Sequence, residues 1–386
     1  MTAGTGRQRK NKLKLKNLLN VLGILLVLYT GWLLFLVLNF HKPNAMDQDI
    51  SGFEIQGVFH VHTKYSDGWR PLEKVVDFAA GKSLDFLILT DHGNPNVPSF
   101  SSQGWQKNVL ILAGSEVSVN RGHLVALNFK MPSGKFSHNA EQVSHQVKNL
   151  GGFTVISHPF SKVSWSWGRE GVYSGLEIVN ADTMFRKDFF RSLPYLPALA
   201  LRPSFALLKS LDRPVKNLRK WDELNKTGTM YGYFSIDAHV FYRSLFSLLH
   251  IHVLLDKPFS SEFKTARQQV FDSLGRGDFY NAVEAAAPAG GFRFFGRKEE
   301  ENIPMGSQAA FAPGISLHVM APFSFQKETR VIADGQTVFT SSDNRFVFVP
   351  KKPGVYRVEV YLKKKSPLAK NFPWIVSNPI FLRMRD

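Results

Sequence analysis

The sequence predicts an α/β fold whose strands close into a barrel, carried behind a membrane-crossing helix and followed by a β-sandwich. Three observations lead there. From Phe53 onward, short apolar strands alternate with helix-patterned segments; residues 18–40 form a 23-residue stretch without charge; and past residue 284 the chain turns to short strands with frequent turn signals.

The uncharged stretch comes first. At about 1.5 Å per helical residue, 23 residues cover a hydrocarbon core of roughly 30 Å. Arg7, Arg9, Lys10, Lys12, Lys14 and Lys16 precede it, and no acid occurs before residue 41. The positive-inside rule then puts a basic tail, residues 1–17, in the cytoplasm and everything after His41 outside the cytoplasmic membrane. A cleavable signal peptide is the competing reading, but its apolar core is shorter, about 7–15 residues, and ends at a small-x-small site. A buried core helix is the bland one, and an apolar surface on every side of the helix counts against it. An uncleaved, single-pass anchor is the reading taken here. Residues 41–52 then form a short polar linker.

Residues 53–284 carry the alternating pattern. Pro71–Ala80 reads as a helix, with proline at its start and apolar residues three and four apart. Asn139–Leu150 is another, stopped by Gly151-Gly152. Residues 184–225 break the rhythm with a dense mixture of Phe, Leu, Pro and Arg, and read as a helical insertion. It serves as a lid, as a basic, aromatic-rich segment against lipid, or simply packs on the barrel. The Ala-, Pro- and Gly-rich run around 285–291 marks a boundary. Residues 291–386 then read as a β-sandwich with strands near Gly291–Phe295, Ile315–Met320, Thr329–Ala333, Phe346–Val349, Val355–Leu362 and Pro379–Arg383, and a hairpin turn at Asp334-Gly335. It carries no ligand cluster. Trp374 and its aromatic neighbours offer a platform for glycan or cell-wall polymer, with packing or spacing as the plainer role.

Composition bounds the partners. The formal net charge is +17, and six of the basic residues lie in the acid-free tail, which leaves +11 on the remainder. Such a surface favours anionic substrates or an anionic envelope, and no nucleic-acid motif accompanies it, so nucleic acid is not an expected partner. There is no cysteine, so no disulfide supports the fold.

The chemistry sits at strand ends. The run Gly57-Val-Phe-His-Val-His-Thr-Lys-Tyr-Ser-Asp-Gly68 ends an apolar strand with His60 and His62, two apart and so expected on one face, and carries Asp67 in the loop beyond. Five more segments repeat the arrangement: Phe86-Leu-Ile-Leu-Thr-Asp-His92, Leu110-Ile-Leu-Ala-Gly-Ser-Glu116, Gly122-His123, Thr154-Val-Ile-Ser-His158 and Tyr233-Phe-Ser-Ile-Asp237-Ala-His239. Imidazoles and carboxylates without thiolates suit Zn, Mn or Fe. His41, His138, His145, His250, His252 and His318 fall outside these segments and read as ordinary core or surface histidines. Asp91 either orients a ligating imidazole or caps its turn. Lys64, Arg121 and Arg169 lie close in sequence to the ligand positions; each either holds a substrate phosphate or is a solvated charge.

This set, in this order, resembles the PHP (polymerase and histidinol phosphatase) family of metal-dependent phosphoesterases, over roughly residues 53–284. The resemblance implies an irregular seven-stranded (β/α) barrel with three divalent ions at the C-terminal ends of its strands. His60, His62, Glu116 and Asp237 would hold the first ion, Glu116 would bridge to a second completed by His123 and His158, and Asp67, His92 and His239 would hold the third. It further implies hydrolysis of phosphate mono- or diesters by hydroxide that the ions activate. The stretch Trp374–Phe381 resembles endings of exported bacterial members. The expected substrate is accordingly a phosphorylated small molecule or envelope polymer. The rival readings are an amidohydrolase-type C–N hydrolase, a metal-loaded binding or sensory module without turnover, and an adhesion module built on the β-sandwich.

Overall fold

The computed structural model describes residues 3–42, 52–161, 171–187, 189–322, 326–363, 368 and 371–384. Arg169 and most of the 41–52 linker lie outside these residues.

The protein is mixed α/β, with three sheets. The N-terminal helix runs Ala3–Leu38, and among the described residues its Lys14–Leu38 portion is the one helix long and apolar enough to cross a membrane. The helix continues through most of the basic tail. Its last turns are not free: Leu33, Val37 and Phe40 are buried. They pack on the short helices that follow the strand Gly175–Asn180, where Tyr29 Oη donates to the Pro194 carbonyl at 2.7 Å and Trp32 meets Tyr195.

The largest sheet has twelve strands. Phe53–Val61 lies at its middle, parallel to Phe86–Leu89, which is parallel in turn to Val109–Ala113. On its other side His250–Leu255 and Phe279–Ala282 continue antiparallel. A second sheet of five strands holds Ser115–Val119, Gly122–Leu127, Phe153–Ile156, Gly175–Asn180 and Tyr231–Ser235, the last three parallel. Side chains alternate as strand geometry requires. Phe86, Ile88, Leu110 and Leu112 meet Val125, Val155 and Tyr233 of the second sheet in one cluster, while Leu87, Leu89 and Ile111 face the helix Leu72–Ala80 through Val75 and Val76. The expected seven-stranded ring is therefore seen as two sheets sharing an apolar interior. Two isolated bridges, Val61–Ala238 and His92–Glu116, join them, both at the strand ends that carry candidate ligands.

The C-terminal strands differ from expectation in their connection. Ile375–Ser377 pairs with both Phe279–Ala282 and Gly354–Leu362, so the large sheet runs unbroken from the ligand-bearing strands into the C-terminal region. A four-stranded antiparallel sheet, Glu301–Ile303, Arg293–Lys298, Ser316–Met320 and Arg345–Phe348, supplies the remaining strands. The predicted hairpin at Asp334-Gly335 is formed, with φ of 51° and 84°, between Lys327–Ala333 and Gln336–Ser341. Trp374 is fully buried and its indole donates to the Ala287 carbonyl at 2.9 Å. It anchors packing and offers no glycan platform.

Candidate metal centre

The first strand does not deliver its histidines by simple alternation. Its register slips between Phe59 and Val61, and His60 takes a left-handed φ of 70°. His158 and Asp237 are also left-handed, at 26° and 47°. Non-glycine residues rarely adopt this region, and such strain concentrates where surrounding structure imposes it for function. The effect here is to swing strand-end side chains inward. Gly68 has a related reason: a Cβ there would lie 2.6 Å from the His62 carbonyl carbon, so the loop can close over His62 only with glycine.

Four buried donor atoms result. His60 Nε2 lies 3.1 Å from His62 Nε2, 3.1 Å from Glu116 Oε2 and 3.3 Å from Asp237 Oδ1, and His62 Nε2 lies 3.2 and 3.4 Å from the same two carboxylates. A tetrahedral divalent site with ligand bonds of about 2.0–2.2 Å needs separations of roughly 3.3–3.5 Å. The five separations, 3.1–3.4 Å, come within about 0.2 Å of that range. Glu116 turns its other oxygen to His123 Nδ1 and His158 Nε2, both at 2.9 Å. Asp67 Oδ2 meets His239 Nε2 at 3.2 Å and His92 Nε2 at 3.7 Å. All nine predicted residues thus come together in one place. Asp237 Oδ1, His92 Nδ1 and His123 Nδ1 are buried and make no aligned hydrogen bond among the described residues, although ligand-type atoms stand 2.9–3.5 Å away, which suits atoms aimed at a shared cation.

The electrostatics follow from burial opposed by neighbours. Burial works against a charged His60, yet Asp237, Glu177 and Glu116 hold its imidazolium well above the usual range. His62 is pushed up to about 9 against the same burial, by Asp237 and Glu116. At Glu116 burial is outweighed by His60, His123 and His158, so its carboxyl stays far below the ordinary value. His92, with burial and the neighbouring His62 and His123 against it, is lowered. The buried carboxylates are thus balanced by the imidazoles around them, a positive charge that a bound cation would supply in their place.

Sequence reasoning missed Glu177, which lies fully buried in Gly175–Asn180. Its Oε1 accepts from His60 Nδ1 at 2.5 Å, and its Oε2 accepts from the His158 amide at 2.7 Å and Asn180 Nδ2 at 2.9 Å. Asn180 Nδ2 also reaches Asp237 Oδ2 at 3.1 Å. Glu177 therefore keeps the His60 proton on Nδ1 and leaves Nε2 aimed into the quartet. A charged residue inside Leu176-Glu-Ile-Val was the available signal. Glu177→Gln is expected to lower metal affinity by about 10–100-fold with the fold intact, read by competition with a metal indicator. Unchanged affinity would deny Glu177 this role.

Three further expectations resolve. Asp91 contacts no imidazole; it accepts from the Thr63 amide at 2.6 Å, Ser66 Oγ at 2.7 Å and Ser99 Oγ at 2.8 Å, and so ties the loop after His62. Arg121 is engaged by Glu141 at 2.9 Å. Lys64 stands exposed on the loop between His62 and Asp67.

His250 and His252 are buried and form a separate cluster with Glu284 and Glu54. His252 Nδ1 donates to Glu54 at 2.8 Å, and its Nε2 lies 3.4 Å from Glu284. Against burial, His252 holds both carboxyls near 2, and they hold it near 9. The carboxylates' stabilisation is complete above their ordinary 4.5 and fades as pH falls toward 2; that of His252 is complete below 6.5 and is lost as pH rises through 9. The destabilisation caused by His252→Gln should thus be on the order of a few kcal/mol near pH 6 and shrink by about pH 9.5, measured by urea unfolding. A pH-independent difference would refute the charged pairing.

Comparison with known proteins adds to this geometry. The sequence profile of the PHP domain matches residues 59–173. Among solved structures, a two-domain protein from Bacteroides vulgatus ATCC 8482, containing a predicted PHP-like metal-dependent phosphoesterase, is 13% identical with a TM-score of 0.42, covering 88% of this chain and 99% of that one. An amidohydrolase from Chromobacterium violaceum, with bound sulfate and no metal, is 16% identical with a TM-score of 0.32, covering 47% of this chain and 87% of that one. No curated protein matches.

Proposed function

We propose that this chain is a metal-dependent phosphoesterase, hydrolysing phosphate mono- or diesters on the outer face of the cytoplasmic membrane. The observation that carries the reading is the convergence of His60, His62, Glu116 and Asp237 into one buried quartet that shares Glu116 with His123 and His158, and that adjoins Asp67, His92 and His239. Three divalent ions, Zn, Mn or Fe, suit these donors, and bound ions would screen phosphoryl oxygens and acidify water at the site. The protein's own contribution is positional. Glu177 fixes the ring of His60, and His239 Nδ1 donates to the Asp237 carbonyl at 3.1 Å, so that its Nε2 faces Asp67. Arg186, paired with Asp182 at 2.6 Å, is exposed and lies close enough to feel the charge of Asp237 and Asp67, which makes it a candidate to hold a substrate phosphate.

In the same reading, residues 18–40 anchor the chain, 53–284 are catalytic with 184–225 inserted, and 291–386 brace them. The substrate is a phosphorylated small molecule or envelope polymer. The match of the PHP domain to residues 59–173 supports the chemistry, and the apolar helix supports the anchoring.

Purified full-length protein should contain transition metal by mass spectrometry and hydrolyse aryl phosphate mono- or diesters until a chelator is added. Metal without turnover would favour a binding module, and turnover of amides alone a C–N hydrolase. A reporter fused after Asp386 should be active only outside the cytoplasm.

A further inference from the structure

The N-terminal helix ends against a cavity of about 630 Å³ whose charged lining is nearly all basic: Lys42, Lys82, Arg202 and Arg243, with His250 at its wall and Glu284 the one acid. Glu284 is already answered by His252 and by Lys42, 3.6 Å away. Among the described residues no carboxylate pairs with Lys82, Arg202 or Arg243, and Lys82 is held below its usual range by burial and by the neighbouring charges of Arg243 and Lys42. Cations crowded without counter-charge around a cavity ask for an anion. Arg202 is fixed in place: its Nη1 donates to the Val37 carbonyl at 3.0 Å, at the end of the helix, and its guanidinium stacks 4.8 Å over Phe40.

The depth of the cavity indicates which anion. If Lys16 marks the inner boundary of the hydrocarbon, a span of about 20 residues leaves it near Leu36. Phe40 then sits about 6 Å further out, within a headgroup layer of roughly 5–8 Å, and Lys42 at about 9 Å stands at its outer edge. Just below, on the short helices that touch Tyr29 and Trp32, Phe190, Leu193 and Leu201 are 85%, 48% and 61% exposed. These apolar side chains lie at the height where acyl chains would be.

We propose that this cavity binds the phosphate of an anionic phospholipid in the leaflet from which the helix emerges, docking the catalytic region on the membrane. The proposal rests on the membrane-anchor reading above. A divalent cation at His250, His252 and Glu284 is the competing use of the same place. It is disfavoured because Lys42 lies 3.6 Å from Glu284 and the flanking charges are positive.

The test uses the full chain in a non-ionic detergent, titrated with phosphatidylglycerol, with phosphatidylcholine of the same acyl chains, and with inorganic phosphate. The expected result, by native mass spectrometry, is one retained phosphatidylglycerol and no retained phosphatidylcholine. Lys82→Gln with Arg243→Gln should weaken retention roughly thirtyfold, about fivefold per cation. The charge-keeping pair Lys82→Arg and Arg243→Lys should restore it, with turnover of a soluble aryl phosphate and Tm unchanged in both. Equal retention of the two lipids, undiminished retention in the Gln pair, inorganic phosphate bound as tightly as phosphatidylglycerol, or displacement of lipid by Zn²⁺ would each overturn the proposal. Release of the chain from cell membranes by carbonate would instead overturn the anchor reading. A chain that stays in the membrane without lipid preference defeats this inference alone.

Discussion

His60→Ala and Asp237→Ala are each expected to abolish measurable phosphoester hydrolysis, a loss on the order of a thousandfold or more, and to strip metal from the purified protein. The quartet explains the size of the effect. The two histidine nitrogens lie 3.1 Å from each other and 3.1–3.4 Å from the two carboxylates, so deleting one donor opens the site and leaves Glu116 facing a gap. His60→Ala also strands Glu177, which has no other imidazole to hold. Asp237→Ala instead removes one of the two carboxylates that Asn180 reaches and weakens the hold on both His60 and His62. Loss of turnover should therefore track loss of metal in each variant. Retention of turnover within tenfold of the parent in either one would remove the quartet from the chemistry. A folded variant is assured by comparing Tm with that of the metal-depleted parent, which lacks the same cations.

Arg357→Ala is expected to destabilise the fold by about 3–5 kcal/mol, because it leaves the half-buried Asp222 without its counter-charge and the buried Glu359 with Arg213 alone. Arg357 is 4% exposed in Gly354–Leu362; it pairs with Asp222 of the helix Val215–Asn225 and donates to Glu359 through Nη2 at 2.9 Å, over the ring of Trp221. Glu359 also takes Arg213 at 3.2 Å and the hydroxyl of Tyr361. The helix belongs to the segment between Gly175–Asn180 and Tyr231–Ser235, so this network ties the ligand-bearing region to the C-terminal strands. Urea unfolding reads the loss, and a second, earlier transition would mark the C-terminal region coming away first. A change under 1 kcal/mol would mean that the pairing has no net worth.

Much of the candidate site could be read from the chain because its residues obey a local rule. Each ligand-type side chain stands at or near the end of a short apolar strand, and strand ends on one rim must meet when the strands share sheets. Glu177 obeyed no such rule. It lies inside a buried strand, and only the approach of His60, 117 residues earlier, shows its purpose. Asp91 and Arg121 were equally open in sequence, since a carboxylate beside a histidine or an arginine beside a glycine has several local partners. Thr63, Ser66 and Ser99 claimed the first, and Glu141 the second.

The one-dimensional pattern was enough for the apolar helix, the helix and strand alternation, the hairpin at Asp334-Gly335 and the donor chemistry. These depend on periodicity, turn preference and side-chain type, all set within a few residues. Tertiary structure alone decided the left-handed turn that aims His60, the pairing of Ile375–Ser377 with Phe279–Ala282, and the burial of Trp374. Each of these requires residues distant in the chain to compete for the same space or the same hydrogen bonds, and that competition is settled only when the whole core packs.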